Sequence, residues 1–224
     1  MLGAALLLIS SCRFINFNGD VATCRDGEPL ELVNDTTFLA GFTGFECNVP
    51  ADVVFSKGPA SVEIKASESL KSKIAVFLKD SVLSIGFTER VKIKDRGDID
   101  IKISSETLEY ICLNGAVDFR CADSLTAKSF RLTANGACNC EFGTLIGDEA
   151  GIEFNGASEA KFTNLAVGEL KVEINGAGDA EFRGRCDSAR IEINGTGQVD
   201  AGGLVCSDIN SEVNGIGFVK KPGR

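Results

Sequence analysis

A chain of 224 residues that is 44% hydrophobic and 25% charged has the material for one large all-β domain, or two small domains, with a real core. Twenty-five glycines against four prolines, one methionine and no tryptophan favour many turns between short strands over amphipathic helices. A net charge of −9 with scattered Lys and Arg argues against nucleic acid as a partner, and the absence of histidine excludes Ser-His-Asp and Cys-His catalysis and the imidazole zinc sets.

Residues 1–12, "MLGAALLLISSC", are a short apolar run ending in small residues and a cysteine. The run is too short for a spanning helix and has the character of a secretory signal, although no Lys or Arg precedes it. Its end resembles the lipobox of bacterial lipoproteins, which makes Cys12 the expected lipidation site and implies a membrane anchor. The alternative is an apolar amino-terminal strand with an incidental cysteine. Residues 13–37 carry little pattern and read as a tether or irregular cap.

From about residue 38 to residue 224 the chain reads as a single domain, because no Pro- or Gly-rich linker interrupts it. Up to residue 113 the runs alternate as strands do. Lys57-Gly58-Pro59 and Lys79-Asp80-Ser81 look like turns, and "KASESLKSKI" has room for one helical turn.

Beyond that point Asn-Gly recurs at Asn114, Asn135, Asn155, Asn175, Asn194 and Asn214, in steps of 21, 20, 20, 19 and 20 residues. Each Asn-Gly alone would signal a β-hairpin. A near-constant period of this size signals a solenoid, in which one repeat cannot bury its apolar face by itself. Residues one and three before the Asn, and five and seven after it, are mostly apolar and read as inward rows. A third inward row, ten or eleven after the Asn, holds Leu125, Leu145, Leu165, Cys186 and Leu204. The fold class expected is all-β, a right-handed parallel β-helix-like solenoid with about 20 residues per coil. The Asn row is expected to be a structural turn ladder of stacked amides, with Asn in the left-handed conformation and Gly supplying the turn.

The order F-x-x-x-V-x-x-D-V-V-F-x-x-G from Phe45, then V-E-I-K-A, V-L-S-I and tandem repeats culminating in I-N-G-A-G-D-A-E-F, resembles the auto-transporter adhesin head GIN domain family. The resemblance spans roughly residues 38–220. Family members typically carry Gly-Ser-Gly-Asp where this chain has Asn-Gly-Ala-x-Asp. The resemblance implies a β-helix-like fold in exported, often lipid-anchored, proteins of the bacterial envelope, and it supplies no catalytic residues.

Two outward acidic rows are the candidate ligand or cation face. Glu153, Glu173, Glu192 and Glu212 stand two residues before the Asn, in a row with Cys112 and Thr133, and Asp118, Glu159 and Asp179 stand four after it. Stacked like charges repel, and either a divalent cation, calcium in particular, or neighbouring Lys and Arg would relieve them. The plainer reading of both rows is a solvated face. No resident cofactor, metal site or catalytic residue is expected.

Cys121, Cys140, Cys186 and Cys206 fall among small core residues and read as buried thiols, although Cys186 and Cys206 would stack on adjacent coils. The expected function is a non-catalytic envelope lipoprotein, outer-membrane anchored and facing the periplasm or the outside, that binds a surface glycan or protein. The rivals are a carbohydrate-active β-helix enzyme and an envelope-stress or signalling partner. Repeats without insertions leave no loops to wall an active-site groove. The last coil would expose strand edges, whose pairing Lys220, Lys221 and Pro222 would discourage; where they fail, an end-to-end homodimer is expected.

Overall fold

The computed structural model of the chain describes residues 36–39, 41–89, 91 and 99–223. The expected signal segment with Cys12, the tether as far as residue 35, and Cys24 lie outside them. The described chain begins with β1 (Thr36–Phe38), β2 (Gly44–Cys47), β3 (Ala51–Lys57), β4 (Ser61–Ala66) and a single helical turn α1 (Glu68–Lys71). A hairpin of β5 (Ile74–Lys79) and β6 (Val82–Phe87) precedes β7 (Ile99–Ser105). The regular part comprises β8 (Tyr110–Leu113), β9 (Ala116–Thr126), β10 (Ser129–Ala134), β11 (Ala137–Phe154), β12 (Ala157–Ile174), β13 (Ala177–Ile193), β14 (Thr196–Val213) and β15 (Ile216–Lys220).

The result is a β-solenoid of about six turns with about 20 residues per coil. Strands β11 to β14 bend round corners without losing their ladders, and every pairing from β8 onward is parallel and links equivalent residues of successive coils. Alternation explains this directly: with one residue in two turned inward, each coil buries its apolar set only against a copy of that set above and below. Phe142, Phe162 and Phe182 stack at 4.6 and 5.3 Å between ring centroids, with Phe130 edge-on to the first two.

No Asn-Gly makes a hairpin, because the corner amides are already engaged by the coil beneath. Asn155 N–H donates to Ala134 O and Ala157 N–H to Gly136 O, both at 2.9 Å, and the other repeats do the same. The two-residue hairpin turn lies elsewhere, at Asp80 (φ 50°) and Ser81 (φ 63°) between β5 and β6, where both central residues take the left-handed conformation a primed turn requires. The left-handed Asn expected at each coil corner is corrected: among the described residues only Asp80, Ser81 and Gly184 have positive φ.

Unequal repeat lengths are accommodated at one corner, just after the Phe row. The extra residue of the 21-residue repeat is a bulge between Cys121 and Ser124, opposite Phe142 and Thr144. The 19-residue repeat is shortened at Gly184, whose φ of 122° carries the tighter path. Cys186 is therefore not a member of the third inward row. Gly184 pairs with Leu165 and Leu204, and Cys186 lies one rung on, between Val167 and Cys206.

The amino-terminal half does not add further coils in chain order. Strands β2 and β3 form a coil whose one side pairs with β8 and β9, and whose other side pairs with β6 and β7. The chain lays this coil down first, leaves it for residues 61–105, and returns at Tyr110 to stack on the opposite side. Antiparallel β4 on β7, β1 on β4 and β5 on β6 then finish that end. One continuous core runs from Phe42 to Leu204.

The carboxy-terminal coil has no such covering. Val213 and Phe218 are exposed, and Ile216 is 77% accessible. The inward position expected for Val213 fails because no described residue stacks on it from the far side. Lys220 holds β15 to β14 through Asp200, with Nζ to Oδ2 at 2.8 Å, while Gly202 N–H donates to Oδ1. The Lys220 bond, with the Gly202 amide, lowers the Asp200 pKa below its ordinary value of 3.8. A depressed carboxyl contributes stability that is complete above its unfolded value and is lost as pH falls through the folded one. Amide exchange in residues 216–220 is accordingly expected to quicken below about pH 4 in the native chain. Lys220→Ala should remove that acid sensitivity, and equal acid profiles for the two proteins would count against the link.

Candidate functional site

Two surfaces of the solenoid carry the acidic rows, and neighbouring side chains give them different characters. On the first, Glu153, Glu173 and Glu192 are register partners on consecutive strands, continued by Glu212. Their carboxylates are already engaged. Asn155, Asn175 and Asn194 each donate from Nδ2 to the Glu two residues earlier, at 2.8, 2.9 and 3.0 Å. The same Nδ2 groups donate to the Oδ1 of the Asn one coil back, at 2.9 to 3.0 Å. The Glu row thus buttresses the amide ladder and turns less carboxylate towards a ligand than a free row would.

A row of basic residues stands beside these carboxylates, and one of them, Arg190, approaches the row itself. Arg131, Lys171 and Arg190 share one register line beside the Glu row, with Gly151 in place of a fourth. Arg190 Nη2 is 3.8 Å from Glu192, and Lys171 Nζ is 3.0 Å from Glu169. Together they line a shallow depression of about 460 Å³. Cys112 and Thr133, expected to face outward in the same row, are buried; Cys112 Sγ lies 3.6 Å from Asn114 Oδ1 and 3.7 Å from Asn135 Nδ2.

The amide ladder has one member the repeat period does not reach. Asn114 donates to Asn48 Oδ1 at 2.8 Å, so the column runs from Asn48 through Asn114, Asn135, Asn155, Asn175 and Asn194 to Asn214. Asn48 lacks the following Gly, which hides it from an Asn-Gly search. The signal that finds it is the spacing Asn48-x-x-x-Asp52-Val53-x-Phe55, which matches Asn114-x-x-x-Asp118-Phe119-x-Cys121. An internal member makes two amide contacts in a half-buried setting, so Asn155→Ala is expected to lower stability by about 1–2 kcal/mol. Urea unfolding measures this; Asn214→Ala, which loses only one contact at the open end, should cost visibly less.

The second surface is the better site. Asp118, Asn139, Glu159, Asp179 and Gln198 form one register line along the axis, with strands about 4.8 Å apart. Asp52 and Asp100 extend it at the amino-terminal end, both missed by the repeat because they belong to the out-of-order coil and its cover. Asp118, Asn139, Glu159, Asp179 and Gln198 line a groove of about 990 Å³ together with small residues such as Ala137, Ala157, Ala177 and Gly197. Ser158 in the floor is buried and donates to Gly136 O, and Asp179 Oδ1 accepts from Gln198 N–H at 2.9 Å. The open end of the groove carries the apolar side chains Ile216 and Phe218.

Chemically the groove offers a repeating line of carboxylate and amide groups over a smooth small-residue floor, which suits hydrogen bonding to an extended chain and lacks any activated group. Among the described residues no group of three or more His, Cys, Asp and Glu is arranged to hold a metal ion. The perturbed thiols, Cys121 (pushed up to about 12), Cys138, Cys140 and Cys186, are raised above all by burial, which makes them poor nucleophiles.

Residues 41–220 match the profile of the family described as "Putative auto-transporter adhesin, head GIN domain". No curated protein matches the chain in sequence. Among solved structures it is similar to a putative adhesin of Parabacteroides distasonis ATCC 8503, at 19% identity and a TM-score of 0.74, covering 82% of this chain and 79% of that one. A putative adhesin of Parabacteroides merdae ATCC 43184 is similar at 16% identity and a TM-score of 0.68, covering 84% and 95%. A putative lipid binding protein of Parabacteroides distasonis ATCC 8503 is similar at 13% identity and a TM-score of 0.64, covering 84% and 95%. At these identities the likeness speaks for the fold.

Proposed function

The chain belongs to the putative auto-transporter adhesin, head GIN domain family, and from that premise we propose that it is a non-catalytic binding module of the bacterial cell envelope. It is held at the outer membrane by a lipid on Cys12, and the solenoid is displayed to the periplasm or the outside. The partner is a surface glycan or an extended protein segment, bound in the groove walled by Asp118, Glu159 and Asp179.

The observation that carries this reading is the groove itself: one register line of hydrogen-bonding side chains crossing successive coils, with no loop inserted between them from β11 to β14. Polar groups repeated at the strand spacing favour a ligand that is itself a repeating chain. The Glu153, Glu173, Glu192 and Glu212 face is structural in this account, since its amide and basic neighbours already occupy it.

A second reading follows from the open end, where Val213, Ile216 and Phe218 are exposed. Such a patch suits an apolar partner, either the end of a second copy or a lipid chain, the latter being the ligand class in the name of one structural relative. Sedimentation at high protein concentration tests the first, and a strictly monomeric profile would remove the dimer.

The test of the main reading is a glycan and envelope-protein array probed with the chain lacking residues 1–12, with and without calcium. Binding weakened at least tenfold by Asp179→Ala and Glu159→Ala together, and little changed by Glu173→Gln, is the expected result. A silent array would sink the binding role.

A further inference from the structure

Beyond Leu204 no described residue is buried, so the last coil is held mainly by its β ladder and the half-buried side chains of Cys206, Ile209 and Val219. At this junction two cysteines meet. Cys186 and Cys206 are register partners on β13 and β14, and their sulfur atoms are 2.8 Å apart, well inside the van der Waals separation of two thiols. Among the described cysteines no other two are paired in register. Equivalent positions in earlier coils hold Val167, Gly147 and Ala127. The pair therefore occurs at a rung where no described residue stacks on the far side of Cys206.

We propose that Cys186 and Cys206 form a cross-coil disulfide that fastens the last coil to the one before it. The placement meets the first requirement for such a bond, since residues opposite each other on neighbouring strands fall within the usual Cα separation. The sulfur positions meet the second, since the two side chains already point at each other across the strands.

The chemistry needs an external oxidant of the disulfide class, either a small disulfide such as oxidised glutathione or a thiol oxidoreductase in an oxidising compartment. The Cys206 thiol, the more accessible of the two, loses its proton and attacks one sulfur of the oxidant. A mixed disulfide forms and one reduced thiol leaves. Cys186 then loses its proton and attacks the Cys206 sulfur, displacing the second thiol. Two S–H bonds are lost, one S–S bond is gained, and the oxidant carries away two electrons and two protons. Burial raises the Cys186 pKa, which makes the second step the slow one.

The bond would fix the coil that carries Ile216 and Phe218, the open end of the groove. It concerns how that coil is held and stands or falls independently of what the groove binds.

The test uses the full chain, equilibrated with oxidised glutathione or with a phosphine reductant, then alkylated and digested with trypsin without reduction. Cleavage places Cys186 alone in residues 186–190 and Cys206 alone in residues 191–220. The expected result is a joined peptide, two hydrogens lighter than its parts, that disappears after reduction. Both cysteines alkylated after oxidation, or either one joined to a different cysteine, would overturn the proposal. Amide exchange across residues 205–220 should slow at least tenfold in the oxidised chain, with a melting temperature about 5–10 °C above that of the reduced chain. Cys206→Ser should melt at the reduced value and ignore the reductant; an equal response in the variant would place the effect at another thiol pair.

Discussion

Gly156→Ala is expected to destabilise the protein by about 3 kcal/mol or more, or to prevent soluble folding altogether. A Cβ at this position would lie 2.0 Å from the carbonyl oxygen of Gly136 and 2.8 Å from its carbonyl carbon. The obstacle is backbone in the coil beneath, with no flexible side-chain end to swing aside. Relief requires the two coils to part at a corner where Ala157 N–H donates to that same Gly136 oxygen. Gly136, Gly176, Gly195 and Gly215 face the same obstruction, at 1.8 to 2.2 Å. Gly58→Ala is the control, because nothing lies within 4 Å of its added carbon, and its effect should stay within about 0.5 kcal/mol. Urea unfolding of both variants decides the matter: equal midpoints would show that close approach of the coils is not what these glycines serve.

Phe162→Ala is the second large effect, about 3–5 kcal/mol. Its ring lies between Phe142 at 4.6 Å and Phe182 at 5.3 Å, nearly parallel to both, with Phe130 edge-on at 6.4 Å. Truncation removes the middle of a continuous column and leaves two rings facing a void that fixed coil spacing does not let them close. Because each coil rests on its neighbours, the loss should also separate the unfolding of the two halves, giving a broadened or two-step transition. Phe162→Leu retains part of the volume and should recover part of the stability. A single sharp transition within about 1 kcal/mol of the parent would show that the column is not the continuous core it resembles.

These two variants also mark where local pattern reading stops. The inward placing of Phe162 follows from its row in the repeat, whereas the work of Gly156 does not follow from its Asn-Gly step. Sequence knowledge assigns that glycine to a left-handed turn, since this is what Asn-Gly does in a hairpin. In the solenoid its φ is ordinary, and the missing side chain instead makes room for another coil's carbonyl. The acidic rows divide in the same way. Their existence and outward direction are readable at Glu153, Glu173, Glu192, Asp118 and Asp179. That the Glu row leans on amides and basic neighbours, while the Asp118 row walls an open groove, depends on which register lines lie side by side.

The sequence by itself determined the all-β class, the coil length of about 20 residues and most of the inward rows, because a coil buried against copies of itself must repeat the same side-chain pattern at the same period. Only the tertiary structure decided that Asn48 starts the amide column, that Asp52 and Asp100 prolong the register line of Asp118, and that β4 to β7 cover one end of the described solenoid while the other stays open. The step of 66 positions from Asn48 to Asn114 follows no period. The chain's return to the face opposite β6 and β7 was fixed by burying both sides of the β2–β3 coil, a long-range requirement that leaves no regular trace along the chain.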